Sequence, residues 1–115
     1  MNPENIVQKQ LKAYNERDIE AFMEVIDNEI TFHDFATHKV TISGYEACKV
    51  YYDALFKASP NLNSTIVNRT VFDNKVIDHE LITGRNGKKE RTEMVLIYEV
   101  ANEKIIRVTV LTKSQ

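Results

Sequence analysis

Residues 75–83 read KVIDHELIT and residues 91–100 read RTEMVLIYEV, with Arg85-Asn86-Gly87-Lys88 between them. Both runs are rich in the β-branched and aromatic residues that suit a pleated surface. Asn86-Gly87 is the pair preferred by a tight type I′ turn, because both residues tolerate positive φ. Strands joined so closely must run antiparallel. The same signature extends outward on both sides. LNSTIVNRTVF (62–72) precedes the pair across Asp73-Asn74, and KIIRVTVLT (104–112) follows it across Ala101-Asn102-Glu103. Everything after Pro60 therefore reads as four long antiparallel strands.

The first half is helical with a short interruption. Asn2-Pro3-Glu4 is a helix start, and Val7, Leu11 and Tyr14 follow at i, i+4, i+7 to about residue 16. Asp18 can cap a second short helix that carries Ile19, Phe22, Met23 and Ile26 on one face. From Glu29 the period changes to two, and a second short strand is expected at about His38 to Ile42. Ser43-Gly44-Tyr45-Glu46 has the form of a capping box. The helix it opens carries Ala47, Val50, Tyr51, Ala54, Leu55 and Ala58, with Tyr52 and Phe56 beside that stripe, and Pro60 ends it. The order helix, helix, two strands, helix, four strands is that of an α+β fold with helices on one face of a bent antiparallel sheet.

Composition narrows the function. A chain of 115 residues, 43% hydrophobic and 28% charged, fits one domain over 1–115 with one core. A net charge of −2 with scattered cations gives no footprint for nucleic acid. No apolar run approaches the ~20 residues needed to cross a bilayer. The first residues lack the pattern of an export signal, and the single cysteine, Cys48, cannot close an internal disulfide, so a cytoplasmic location is expected. No glycine-rich phosphate loop, serine elbow or paired-cysteine site occurs, so no cofactor is indicated. His33, Asp34 and His38 are close in sequence but split across strand faces and a loop, and no metal site is expected from them.

The element order, carried by YNERDIEAFMEVIDNEITFHDF (14–35), ISGYEACKVYYDALF (42–56), VIDHELITG (76–84) and IYEVANEKIIRV (97–108), resembles the SnoaL-like and ketosteroid-isomerase-like branch of the nuclear-transport-factor-2-like superfamily. The resemblance implies a cone of curved sheet closed by three helices, an apolar pocket inside it, and a homodimer through the outer sheet face. It also implies steroid-isomerase-like or polyketide-cyclase-like chemistry without a cofactor. In ketosteroid isomerases the end of the first strand carries the general base, and the corresponding stretch here is Phe32-His33-Asp34-Phe35. That family's two acidic hydrogen-bond donors fall at Gln10 and Leu96, and Leu96 cannot donate at all. This departure argues against a ketosteroid isomerase in the strict sense.

Two residues are the candidates for chemistry. Asp34 alternates with Ile30 and Phe32, which must face inward, and a carboxyl at the mouth of an apolar cavity has a raised pKa suited to a base. His79 alternates with Ile77, Leu81 and Thr83, opposite Asp78 and Glu80, which makes that set the expected inward face. An acid and a histidine facing one ligand could move a proton between two of its positions. Gln10, Tyr14, Phe32, Tyr52, Leu96 and Tyr98 are expected to line the ligand site, with Gln10 or a tyrosine as the orienting hydrogen bond. Arg107 is expected on the outer sheet face. The expected ligand is a small apolar carbonyl compound. The rival is a binding or dimerisation module of the same fold without chemistry.

Overall fold

The computed structural model describes residues 2–113. Three helices pack on one side of a curved, unclosed six-stranded sheet. Helix α1 spans Pro3–Glu16 and α2 spans Ile19–Glu24; strands β1 (Ile26–Asp34) and β2 (Val40–Ser43) precede α3 (Tyr45–Ala58). Strands β3 (Asn63–Phe72), β4 (Lys75–Thr83), β5 (Thr92–Ala101) and β6 (Lys104–Thr112) complete the chain. The strand order is β2-β1-β6-β5-β4-β3. Every neighbour is antiparallel except β1 and β6, which run parallel because the chain passes through α3 and the meander between them. No helix among the described residues is long and apolar enough to cross a membrane.

Local chemistry accounts for the boundaries. Asn2 Oδ1 accepts the amide of Asn5 and Asp18 Oδ1 that of Ala21, so both N-terminal helices start at their capping residues. Arg17 closes α1 in the left-handed conformation and delivers the chain into α2 after one residue. Strand β1 begins at Ile26, earlier than the change of period at Glu29 suggests, because Val25 accepts the Ile105 amide and brings β6 alongside. The Ser43 capping box does not form. Ser43 is the last residue of β2, paired with Thr31, and Gly44 at φ 93° is the cap, with no side-chain hydrogen bond. Helix α3 therefore starts one residue later and buries Cys48, Tyr52, Leu55 and Phe56, leaving Ala47 and Val50 outside. Two apolar stripes overlap on this helix, and the one with the larger side chains takes the core.

The core lies between the helices and the concave face of the sheet. Val7, Phe22, Ile30, Val76, Val100, Ile105 and Val108 are fully enclosed, and each such side chain contributes roughly 1.5–3 kcal/mol. At the α3 end the packing is aromatic: Phe22 lies 4.5 Å from Tyr52 between ring centroids, and Tyr14 meets Phe56 edge-on at 5.8 Å.

Strand β4 has the opposite phase to that expected from its sequence. Val76, Asp78, Glu80 and Ile82 face the core, and Ile77, His79 and Leu81 face outward. The register against β5 places Val76 opposite Tyr98, Asp78 opposite Leu96 and Glu80 opposite Met94, a consistent inner face. Burying two acids is tolerable because each has partners. Arg69 on β3 holds Asp78 through Nε at 2.6 Å and Nη2 at 2.8 Å, while Ser64 and Tyr98 hold Glu80.

The Asn86-Gly87 turn occurs with both residues at positive φ and the Lys88 amide bonded to the Arg85 carbonyl. It forms the tip of a longer loop, 84–91, because β5 starts only at Thr92. Gly84, at φ 77°, lets that loop lie against the end of α3; a Cβ there would stand 2.3 Å from the Asn61 carbonyl oxygen. The Asn86 amide then donates to the buried Ser59 hydroxyl at 2.8 Å.

Candidate functional site

Between α1, α3 and the sheet the packing leaves a hollow in two adjoining parts. The outer part, about 240 Å³, is lined by Phe32, Asp34, Thr41, Ile42, Tyr51 and Val110. The inner part, about 30 Å³, is lined by Gln10, Leu11, Tyr14, Glu80, Ile82 and Tyr98. Tyr52, Arg85, Met94 and Leu96 wall both. The inner part has room for about one water. A larger trough of about 610 Å³ runs along α1, but it is open and bounded mostly by Asn, Gln, Lys and Glu side chains. It brings no perturbed group together, so the inner hollow is the better site.

Each polar group of the inner part is placed by a specific piece of the fold. Asn15, at the end of α1, exchanges two hydrogen bonds with the backbone of Ser64, which fixes the start of β3 against the helix. The Ser64 hydroxyl then donates to Glu80 Oε1 at 2.7 Å, and Tyr98 donates to Oε2 at 3.1 Å. Glu80 is 5% exposed, and burial, reinforced by the nearby Asp78, raises its pKa against the opposing hydrogen bonds. Tyr14 is 6% exposed. Its hydroxyl is the buried side-chain atom without a hydrogen-bond partner among the described residues. Burial pushes that phenol up to about 12, although the Arg85 guanidinium draws it down. Arg85 comes close to Tyr14 without hydrogen-bond geometry and donates instead to the Tyr51 hydroxyl.

The six residues expected to line a ligand site, Gln10, Tyr14, Phe32, Tyr52, Leu96 and Tyr98, all border the hollow. The two expected to do chemistry are placed otherwise. His79 projects from the outer sheet face, where Nε2 meets the Glu93 carboxylate and Lys113 holds the same carboxylate at 2.6 Å. The reversed phase of β4 puts it there, so His79 and Asp34 do not share a cavity. Asp34 borders the outer part, yet its carboxylate stands at the solvent-filled rim. Oδ2 accepts the Thr37 amide at 2.9 Å and the Thr37 hydroxyl at 2.8 Å. Those bonds lower its pKa, the reverse of the expected rise. The alternation itself holds, since Asp34 pairs with Val110 on the side of Phe32 and Val108. But β1 ends at Asp34, which closes a turn through the His38 amide and brings Thr37 onto the carboxylate.

Among the lining residues that escape the sequence reading are Glu80, Arg85, Tyr51 and Met94. For the phase of β4, and so for Glu80, a signal exists in Arg69, a lone cation in an otherwise uncharged strand, which pairs with Asp78 and turns that face of β4 inward. Arg85 carries no such signal, because its position depends on how loop 84–91 folds back. Cys48 is buried, and desolvation pushes its thiol up to about 12, so it is not an activated nucleophile. Arg107 lies on the outer face against Glu99, as expected.

The fold is shared with proteins of known structure. An uncharacterised cystatin-fold protein from Novosphingobium aromaticivorans aligns with a TM-score of 0.85 at 19% identity, over 96% of this chain and 97% of that one. A proposed ketosteroid isomerase from Kribbella flavida aligns at 0.81 and 17% identity, over 98% and 78%. A proposed polyketide cyclase from Sinorhizobium meliloti aligns at 0.77 and 17% identity, over 96% and 99%. No curated protein matches in sequence. Identities this low speak for the fold alone. The SnoaL-like domain model matches residues 7–108, nearly the whole chain, and the chain belongs to the SnoaL-like domain family.

Proposed function

We propose that this chain binds a small, largely apolar carbonyl compound in the hollow beneath its helices and moves a proton within it. The observation that carries the reading is the unpartnered Tyr14 hydroxyl, buried beside a Glu80 whose pKa is raised. A phenol donor and a carboxyl whose pKa burial raises thus face one small apolar space, where a carbonyl oxygen is the natural acceptor. At the other end Asp34 is ionised, and among the described residues it is the only carboxylate on the outer part. Acid and base are in this way assigned by environments that push two carboxyls apart.

The reaction these groups support is balanced without a cofactor. Asp34 takes a proton from the carbon next to the carbonyl while Glu80 gives its proton to the oxygen. In a β,γ-unsaturated carbonyl compound, return of the oxygen-bound proton to Glu80 and of the Asp34 proton to the γ-carbon leaves the conjugated isomer and restores both groups. In a saturated ketone the proton returns to the same carbon and the result is exchange. The outer volume lies below the ~300–1,000 Å³ of drug-sized sites, which favours a ligand smaller than a steroid.

The test is proton exchange in heavy water. Small cyclic and linear ketones, followed by proton nuclear magnetic resonance, are expected to exchange α-protons faster with the wild type. Asp34→Asn and Glu80→Gln each lower that rate by about a hundredfold or more. Ketones that shift the amides of Met94 and Leu96 but exchange no faster than in buffer would leave only binding. One observation favours that second reading: an aspartate tied to Thr37 with a lowered pKa is a weak base.

A further inference from the structure

Among the described residues Arg85 is the partly buried guanidinium with no carboxylate or backbone-carbonyl partner. Arg69 is held by Asp78 and Arg107 by Glu99. Arg17 donates to the backbone carbonyls of Asn15 and Leu62, and Arg91 is exposed. Arg85 is only partly exposed and walls both parts of the hollow. Its one side-chain hydrogen bond goes to a neutral phenol, Tyr51. Five N–H donors belong to a guanidinium, so a bond to Tyr51 and an approach to Tyr14 leave donors to spare. Beside it the Tyr14 hydroxyl is without a partner.

A cation and a free phenol at the waist of an apolar hollow call for an anionic acceptor. The planar fork of arginine matches two oxygens on one carbon, the geometry of a carboxylate. The other walls at that level are Met94 and Leu96, which strengthen such a contact by excluding water. The fold supplies the position deliberately: Gly84 permits the close approach of loop 84–91 to Asn61, and Ser59 anchors it. We infer that the ligand of this hollow is a small monocarboxylic acid whose carboxylate is clamped by Arg85, with Tyr51 orienting the guanidinium and Tyr14 left to the neighbouring carbonyl oxygen. The inference rests on the pocket reading above and narrows its ligand from carbonyl compounds to oxo acids.

The experiment compares acids with their uncharged twins. Benzoate and hexanoate, against benzamide and hexanamide, are titrated into the isotope-labelled protein and read from amide shifts around Met94 and Leu96. The acids are expected to bind at least about tenfold more tightly than the amides, a charge-assisted bond being about twice as strong as a neutral one. Arg85→Gln should erase that preference, so that acids bind no more tightly than their amides. Tyr51→Phe, which removes only the orienting phenol, should weaken acids several-fold and spare amides, and it stands as a second probe if Arg85→Gln alters the melting curve. Acids and amides binding alike, or a preference that survives Arg85→Gln, would overturn the carboxylate clamp while leaving the pocket reading intact. If neither class shifts those amides in a folded protein, the clamp and the pocket reading fail together.

Discussion

Strand β4 turns an acidic face toward the core and a largely apolar one away from it. Inside, Asp78 and Glu80 lie between Val76 and Ile82; outside, Ile77 and Leu81 flank His79. The two inner acids differ as well. Asp78 meets a guanidinium through two short bonds, while Glu80 meets only hydroxyls and faces a hollow. One carboxylate is neutralised by a cation and has a structural part. The other has no cation beside it, and burial raises its pKa. Burial alone thus does not distinguish a structural acid from a working one; the charge of its partner does.

That contrast can be broken first at its strongest point. Arg69→Met leaves Asp78, 1% exposed, with an uncompensated buried charge, and should cost about 3–5 kcal/mol in urea unfolding. Adding Asp78→Leu should recover most of the loss, because apolar replacement of both partners is close to neutral. A single variant as stable as the wild type would mean that the pair does not hold β3 to β4.

The outer face offers the next test. Ile77 pairs with Ile97 and Val95 with Leu111, all partly covered, with the ion pairs Glu99–Arg107 and Glu93–Lys113 nearby. We propose that this face joins two copies of the chain. Light scattering should report a dimer, and Ile97→Arg should weaken it about a hundredfold, or ~2.8 kcal/mol. A monomeric wild type would contradict the proposal.

Tyr14→Phe is expected to act in opposite directions on stability and binding. Removing a buried hydroxyl that bonds to nothing should raise stability by up to about 1 kcal/mol, while ligand affinity falls. Destabilisation on thermal melting would show that the hydroxyl has a protein partner. The smallest effect belongs to His79→Ala. Its contact with Glu93 is a third exposed, and the change should stay within about 0.5 kcal/mol with ketone exchange unaltered.

Much of the architecture was legible because periodicity and turn chemistry agree along the chain. Val7, Leu11 and Tyr14 on α1, the caps at Asn2 and Asp18, and the four long strands all lie where their patterns put them. Legibility failed where two readings of one pattern were nearly equal. On α3 the stripe through Ala47 and Val50 competed with the one through Cys48 and Tyr52. On β4, Val76 and Ile82 give one phase an apolar frame as good as that of Ile77 and Leu81. Only partners distant in sequence settle such ties: Arg69 for Asp78, Ser64 and Tyr98 for Glu80. Six residues of the lining, and Asp34 at the rim, could therefore be named while Glu80 could not. The pKa of Asp34 was misjudged because the turn after β1 brings Thr37 onto its carboxylate.

The state of Glu80 is the point on which the account turns. Folding raises its pKa, so the folded chain keeps a proton that the unfolded chain has already lost. The stability this lends is complete below the ordinary glutamate value of about 4.3 and disappears as pH rises through the folded pKa. The direct measurement is a carbon-13 titration of the Glu80 side-chain carboxyl by nuclear magnetic resonance. The account predicts a midpoint clearly above the ordinary glutamate range, and loss of the matching slope in the pH–stability curve of Glu80→Gln. A midpoint at or below that range would contradict it.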